Sequence, residues 1–227
     1  KQHPRGSFTV AEYRSLVRLS RQRIGQRIPT EFTVNSRRGE LNLDQYAVIS
    51  QDLSWMIRFM INSFMRPSDI KFLQHKHVTV VRAKHIYLRL NLPETKKHDK
   101  PIVTLQAAVH VYERLLAWQI SQGHGQPEDY VFLPKQMNRE QVLETYRWQF
   151  NFMLEQARIG RNVANGQKRT LYSLRHSAMT FRLLYGRRVD LLTLARNART
   201  SVEMVEKFYS SNLSAEMNID LLQGLRD

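Results

Sequence analysis

Cysteine is absent from the chain, so no disulfide framework, thiolate nucleophile or cysteine-held zinc is available, which suits a reducing interior. Long apolar runs are also missing. The best candidate, Trp55 to Met65, is interrupted by Arg58 and Asn62, and neither a signal peptide nor a stretch of membrane-spanning length occurs. Acidic residues are scarce: 20 Asp and Glu face 35 Lys and Arg, a formal charge of +15. That imbalance points to a polyanionic partner, with nucleic acid first. A membrane-surface protein would gather its cations on one amphipathic helix, whereas here they are spread along the chain. What is present is a 42% hydrophobic content over 227 residues, enough for one real core, without repeats or low-complexity tracts. The chain begins at Lys1 with no initiator Met, and an upstream domain is expected to precede it.

Taken in order, residues 1–7 read as the end of a linker, with Pro4 and Gly6 among polar residues. Thr9 and Glu12 form a capping box, and Tyr13, Leu16, Val17 and Ile24 recur at helical spacing. Residues 26–43 are polar and broken by Pro29 and Gly39, hence loop. A second, central helix is expected over 44–65, ended by Arg66-Pro67-Ser68-Asp69, where Pro67 can open a new short helix. Three β-patterned runs follow at 78–81, 86–90 and 101–105, a small antiparallel sheet whose hairpin tip, 95–100, carries Lys96, Lys97 and Lys100. Helices are expected over 106–122, 138–159, 173–185, 190–197 and 201–209, with 130–133 ambiguous. The class is therefore α+β, mainly helical, with a three-stranded antiparallel sheet. A polar break at 210–214 precedes an amphipathic segment from Ala215 to Leu225.

Metal-free chemistry on a phosphodiester needs cations for the nonbridging oxygens, a nucleophile and an acid for the leaving oxygen. Arginine suits the first task through its planar, permanently charged fork. Tyrosine can be the second if neighbouring groups activate it, its ordinary pKa being about 10. A hairpin lysine can be the third. With those residues in view, the chain from Phe8 to Tyr209 resembles the tyrosine recombinase, or phage integrase, family. Arg66 with Asp69 resembles its first arginine box, Lys96 falls at its hairpin lysine, Tyr172-Ser173-Leu174-Arg175-His176 resembles its His-x-x-Arg box, and Tyr209 matches its nucleophile. Gly186, Asp190 and Thr200 follow at the family's spacing, apart from one extra residue near Arg187. Two positions depart from the pattern. Tyr172 stands where the family commonly has His, and Thr200 where it has His or Trp; both can donate a hydrogen bond, but neither shuttles a proton near neutral pH.

The resemblance implies a catalytic domain over 8–210 with a tail at 211–227. Arg66, Arg175, Tyr172 and Thr200 would clamp the phosphate, Tyr209 would attack to give a 3′-phosphotyrosyl link, and Lys96 would protonate the leaving 5′-hydroxyl. Asp69 and His176 would support, and neither metal nor ATP would be needed. It also implies double-stranded DNA attachment sites, a homo-oligomer that is a tetramer on DNA, a cytoplasmic location in a bacterium, and an upstream core-binding domain.

Each residue has an ordinary reading beside this one. Arg66 is otherwise a helix-end cation, Lys96 a solvated turn residue replaceable by Lys97 or Lys100, and Arg175 a partner for an acid. Tyr209 can extend the apolar stripe of Val202, Val205 and Phe208. Asp69 can cap the helix after Pro67, and Thr200-Ser201 is a natural N-cap. His75, His77 and His85 lack the convergence a metal site requires. Ala215 to Leu225 can dock on a neighbouring protomer or pack in cis. The alternative function is a DNA-binding module of the same descent that has lost catalysis; an RNA-binding helical protein is disfavoured because stacking-aromatic motifs are missing.

Overall fold

The computed structural model of the protein describes residues 6–29, 47–92, 100–186 and 189–209, with residues 207–209 described through their backbone alone. Lys96 and the segment Ala215 to Leu225 therefore lie outside the described residues.

Helix α1 (Val10–Gln22) starts at the expected capping box: the Glu12 amide donates to Thr9 Oγ1 at 3.2 Å, and the Thr9 amide to Glu12 Oε2 at 2.8 Å. Just ahead of it, Gly6 and Ser7 are tied down. Arg169 donates to Ser7 O from Nε at 3.1 Å and from Nη2 at 2.9 Å, and a side chain on Gly6 would meet Asn162 Cβ at 2.8 Å. The linker reading thus stops short of these two residues.

Helix α2 (Gln51–Ser63) begins later than the expected Asp44. Residues 47–49 are instead used as extended chain: the Ile28 amide donates to Ala47 O at 2.7 Å and the Ile49 amide to Gln26 O at 2.9 Å. Ile49 is thereby buried as an extended residue. From Gln51 onward α2 is buried almost all round, with Leu53, Met56, Ile57, Phe59 and Met60 at 0–1% exposure, and α1 and the later helices at Gln106–Ser121, Arg139–Gln156 and Leu171–Tyr185 pack on it. It ends in Phe64, whose φ of 57° is left-handed.

Pro67 opens α3 (Pro67–Ile70) at its first turn. A short 3-10 turn, His75–His77, leads into β1 (Val78–Arg82), β2 (Ile86–Leu90) and β3 (Ile102–Val103), antiparallel in the order β1-β2-β3 with Val78 opposite Leu90 and Leu90 opposite Ile102. The third strand is shorter than the expected 101–105. Thr104 still pairs with Leu88, but the Leu105 amide turns to Asn62 O at 2.9 Å and caps α4 (Gln106–Ser121). His75 is buried, with its ring nitrogens 3.0 Å from Tyr112 Oη and 2.7 Å from Gln119 Oε1.

The ambiguous stretch 130–133 is an irregular piece, bent at Val131 and Phe132 and left-handed at Leu133, φ 47°; the Val131 amide donates to Leu73 O at 2.9 Å, and Val131 and Phe132 enter the core. Helix α5 (Arg139–Gln156) stops before the expected Ile159 because Arg158 turns left-handed, φ 54°, and closes the end with Ile159 N to Leu154 O at 2.9 Å. Then come α6 (Leu171–Tyr185), α7 (Leu191–Asn197), capped by Asp190 through Thr193 N at 2.8 Å, and α8 (Val202–Tyr209), capped by Ser201 through Met204 N at 3.2 Å. The fold is mainly helical with one small antiparallel sheet, as expected. Beside the main core lies a second one, made of Phe64, Ala178, Met179, Leu194, Ala195, Ala198 and Val205. It sits where the end of α2 meets α6, α7 and α8, and so underlies the residues considered next.

Candidate functional site

Two arginines far apart in sequence meet at one turn. Arg66 follows the end of α2 and is the N-cap of α3; its amide donates to Asp69 Oδ2 at 3.0 Å, so Asp69 both caps α3 and fixes the Arg66 backbone. The Arg66 side chain donates through Nη2 to the carbonyl of Arg199. Arg175 lies in the second turn of α6, 2% exposed, and donates through Nη1 to the carbonyl of Phe64 and through Nη2 to the carbonyl of Ala198. Both guanidinium groups therefore grip consecutive carbonyls of the α7–α8 connection.

Those carbonyls are available because of how the helices end. The last carbonyls of a helix have no partner within it and carry the negative end of its dipole, where cations are favoured. Helix α7 closes with Arg199 N to Arg196 O at 3.1 Å and Thr200 N to Ala195 O at 2.9 Å, the paired bonds of a Schellman motif. That motif places Arg199 in the left-handed region, φ 52°, and leaves Ala198 O and Arg199 O for the two arginines. Phe64, the other left-handed residue here, turns its own carbonyl toward Arg175.

The remaining expected residues fall into place around this turn or outside it. Thr200 is half-buried and belongs to the turn itself, while Ser201 supplies the cap of α8. Tyr172, two residues into α6, is 38% exposed, and its ring lies 5.2 Å from that of His176, which is buried. Helix α8 packs on α6 and α7 through Val205 and reaches Tyr209, whose side chain lies outside the described residues. Lys96 is likewise outside them. No group of three or more His, Asp or Glu among the described residues is placed to hold a metal ion.

Sequence reasoning missed three participants: Phe64, Asn197 and Arg199. Asn197 clasps β3 with both ends of its amide, accepting from Val103 N at 2.8 Å and donating to Val103 O at 2.9 Å. Arg199, 5% exposed, donates from Nε at 2.9 Å and Nη2 at 2.6 Å to Lys100 O. A glycine at position 199 would have advertised the turn; an arginine conceals it.

No family model and no curated protein matches the sequence. Solved structures do match in fold. XerA recombinase superposes with a TM-score of 0.56 at 14% identity, covering 100% of this chain and 68% of that one. XerH site-specific recombinase in a pre-cleavage complex with its difH substrate gives 0.60 at 15% identity, covering 99% and 55%. The integrase of transposon Tn1549, in complex with transposon right-end DNA, gives 0.58 at 13% identity, covering 99% and 67%. This chain thus spans from about half to about two thirds of those proteins' length, and the likeness to them is one of fold.

Proposed function

We propose that this chain is the catalytic domain of a site-specific DNA recombinase or integrase. Arg66 and Arg175 hold the scissile phosphate, with hydrogen bonds from Tyr172 and Thr200. Tyr209 Oη attacks the phosphorus and gives up its phenolic proton to water, the phosphorus–5′-oxygen bond breaks, and a 3′-phosphotyrosyl link forms; the departing 5′-oxygen takes its proton from Lys96. Attack by a 5′-hydroxyl reverses these steps and restores Tyr209. The phosphodiester energy is kept in the covalent bond, so the cycle consumes no nucleotide. Asp69 holds the Arg66 backbone, and His176 stands behind Tyr172.

The observation that carries this reading is the convergence of Arg66 and Arg175 on the carbonyls of Arg199 and Ala198, next to Thr200 and at the start of the helix that ends in Tyr209. Paired guanidinium groups supply permanent positive charge where a phosphorane would form. The partners would be duplex attachment sites and further copies of the protein. The test uses a nicked suicide duplex, from which the freed strand diffuses away. A denaturation-resistant protein–DNA adduct is expected with the natural chain and none with Tyr209→Phe.

The second reading is a DNA-binding module of this fold that no longer cleaves. Its supporting observation is the burial of Arg175, engaged by two carbonyls, together with a Tyr and a Thr at the two proton-handling positions. Salt-sensitive duplex binding with no adduct would establish it.

A further inference from the structure

The left-handed turn at Arg199 joins four segments, and the residue chosen for it is costly. Glycine populates positive φ freely, whereas a residue with a Cβ is strained there, and such strain persists where the surroundings impose it. Arg199 is also a cation at 5% exposure, which demands compensation. The compensation is specific: its Nε and Nη2 hold Lys100 O, at the downstream foot of the β2–β3 hairpin, while its own carbonyl receives Arg66. One residue earlier Ala198 O receives Arg175, and two residues earlier Asn197 is bonded at both ends to Val103. Arg158 occupies the same left-handed position at the end of α5, where one arginine, Arg169, donates to the following carbonyl, Ile159 O, at 3.1 Å.

We infer that Arg199, seconded by Asn197, is a positioning residue that fixes the hairpin foot at 100–103 against the carbonyl pair gripping Arg66 and Arg175. The inference rests on the recombinase reading for its catalytic consequence. The backbone of Arg199 orients the guanidinium groups, and its side chain sets where the hairpin leaves the sheet. The hairpin foot is thereby held in a constant relation to the phosphate clamp. This matters because a misplacement of about 1 Å can cost on the order of 100-fold in rate.

Arg199→Gly is the informative variant, since glycine keeps the left-handed turn and removes only the side chain. Two measurements are made on the full chain. In hydrogen–deuterium exchange, the amides of 102–105 are expected to exchange at least tenfold faster in Arg199→Gly, with the interior of α4 unchanged. In single-turnover cleavage of the suicide duplex, the rate is expected to fall at least tenfold while the DNA Kd stays within about twofold, and Arg199→Lys, which retains a cationic donor, is expected to recover part of the loss. A purely structural role would instead lower stability and binding together and gain nothing from lysine. Exchange at 102–105 unaltered by Arg199→Gly, or cleavage at the natural rate by that variant, would overturn the inference. If the natural chain forms no adduct, the recombinase reading fails, and the exchange measurement alone then decides whether Arg199 fixes the hairpin foot.

Discussion

At the scale of single residues, the two arginines of the proposed clamp are not equivalent. Arg175 is buried and satisfies the carbonyls of Phe64 and Ala198, so Arg175→Ala removes both a cation and the donors to two buried acceptors. Leaving a buried acceptor unpaired costs about 1–3 kcal/mol, so Arg175→Ala is expected to destabilise the fold by about 3 kcal/mol in urea unfolding, as well as to abolish adduct formation. Arg66 is half-buried, and Arg66→Ala is expected to cost about 1 kcal/mol while abolishing cleavage equally. A second residue-scale effect lies in the first turn of α2. Asp52 is 4% exposed, its Oδ1 has no hydrogen-bond partner among the described residues, and burial pushes its carboxyl up to about 6. A folded-state value above the unfolded one means that the native state holds the extra proton between those values. Stability from this group is therefore greatest at acid pH and falls as pH rises through about 6, by on the order of 3 kcal/mol. Asp52→Asn is expected to flatten that dependence and to raise the urea midpoint at pH 8 relative to pH 5; an unchanged pH profile would contradict it.

At the scale of elements, α1 and its dock illustrate the opposite sign. Burial raises the Glu12 carboxyl, but Arg169 and the Thr9 amide outweigh it and hold the group below its ordinary value. This contribution is present above about pH 4.5 and lost on acidification. Arg169 also holds Ser7 O and Ile159 O, so Arg169→Met is expected to loosen the start of α1 and to cost about 3 kcal/mol, read as a lowered urea midpoint at pH 7. Such elements differ in how far they can be read from sequence. Helix α1 was legible because its capping box and apolar spacing are local. The start of α2 was not, because the helical pattern of 44–50 yields to pairing of 47–49 with the chain around Ile28, a contact invisible to periodicity. The ends of α2, α5 and α7 turn through Phe64, Arg158 and Arg199, residues that carry no left-handed signature; α2 and α5 accordingly stop short of the expected ends, whereas α7 stops at Asn197 as expected, and only its turn geometry was hidden. Within the candidate site, Arg66 and Arg175 could be picked out by residue type and by resemblance. Their cradle could not, since it is made of main-chain carbonyls brought together from α2 and α7.

At the scale of the whole molecule, a main core around α2 and a smaller one beneath the α6–α8 turn fix the clamp to the rest of the fold, so its geometry depends on both. The chain carries a surplus charge of +15, and on the described surface its cations are in places crowded: burial, then Arg21, holds Arg58 below its ordinary value, with Arg114 adding to the effect. A surface of this kind should bind duplex DNA with affinity that falls steeply with salt. Replacing one phosphate-contacting cation should reduce the slope of log K against log salt by about 0.9. Binding of that type is common to both functional readings and cannot separate them; covalent chemistry does. The decisive measurement is the adduct assay on nicked suicide duplexes with the natural chain, Tyr209→Phe and Arg175→Lys in parallel. A covalent complex with the natural chain, absent with Tyr209→Phe and reduced at least a hundredfold with Arg175→Lys, is the predicted result. Salt-sensitive binding by all three proteins, with no covalent complex from any of them, would contradict the central claim that Arg66, Arg175 and Tyr209 form one cleaving site.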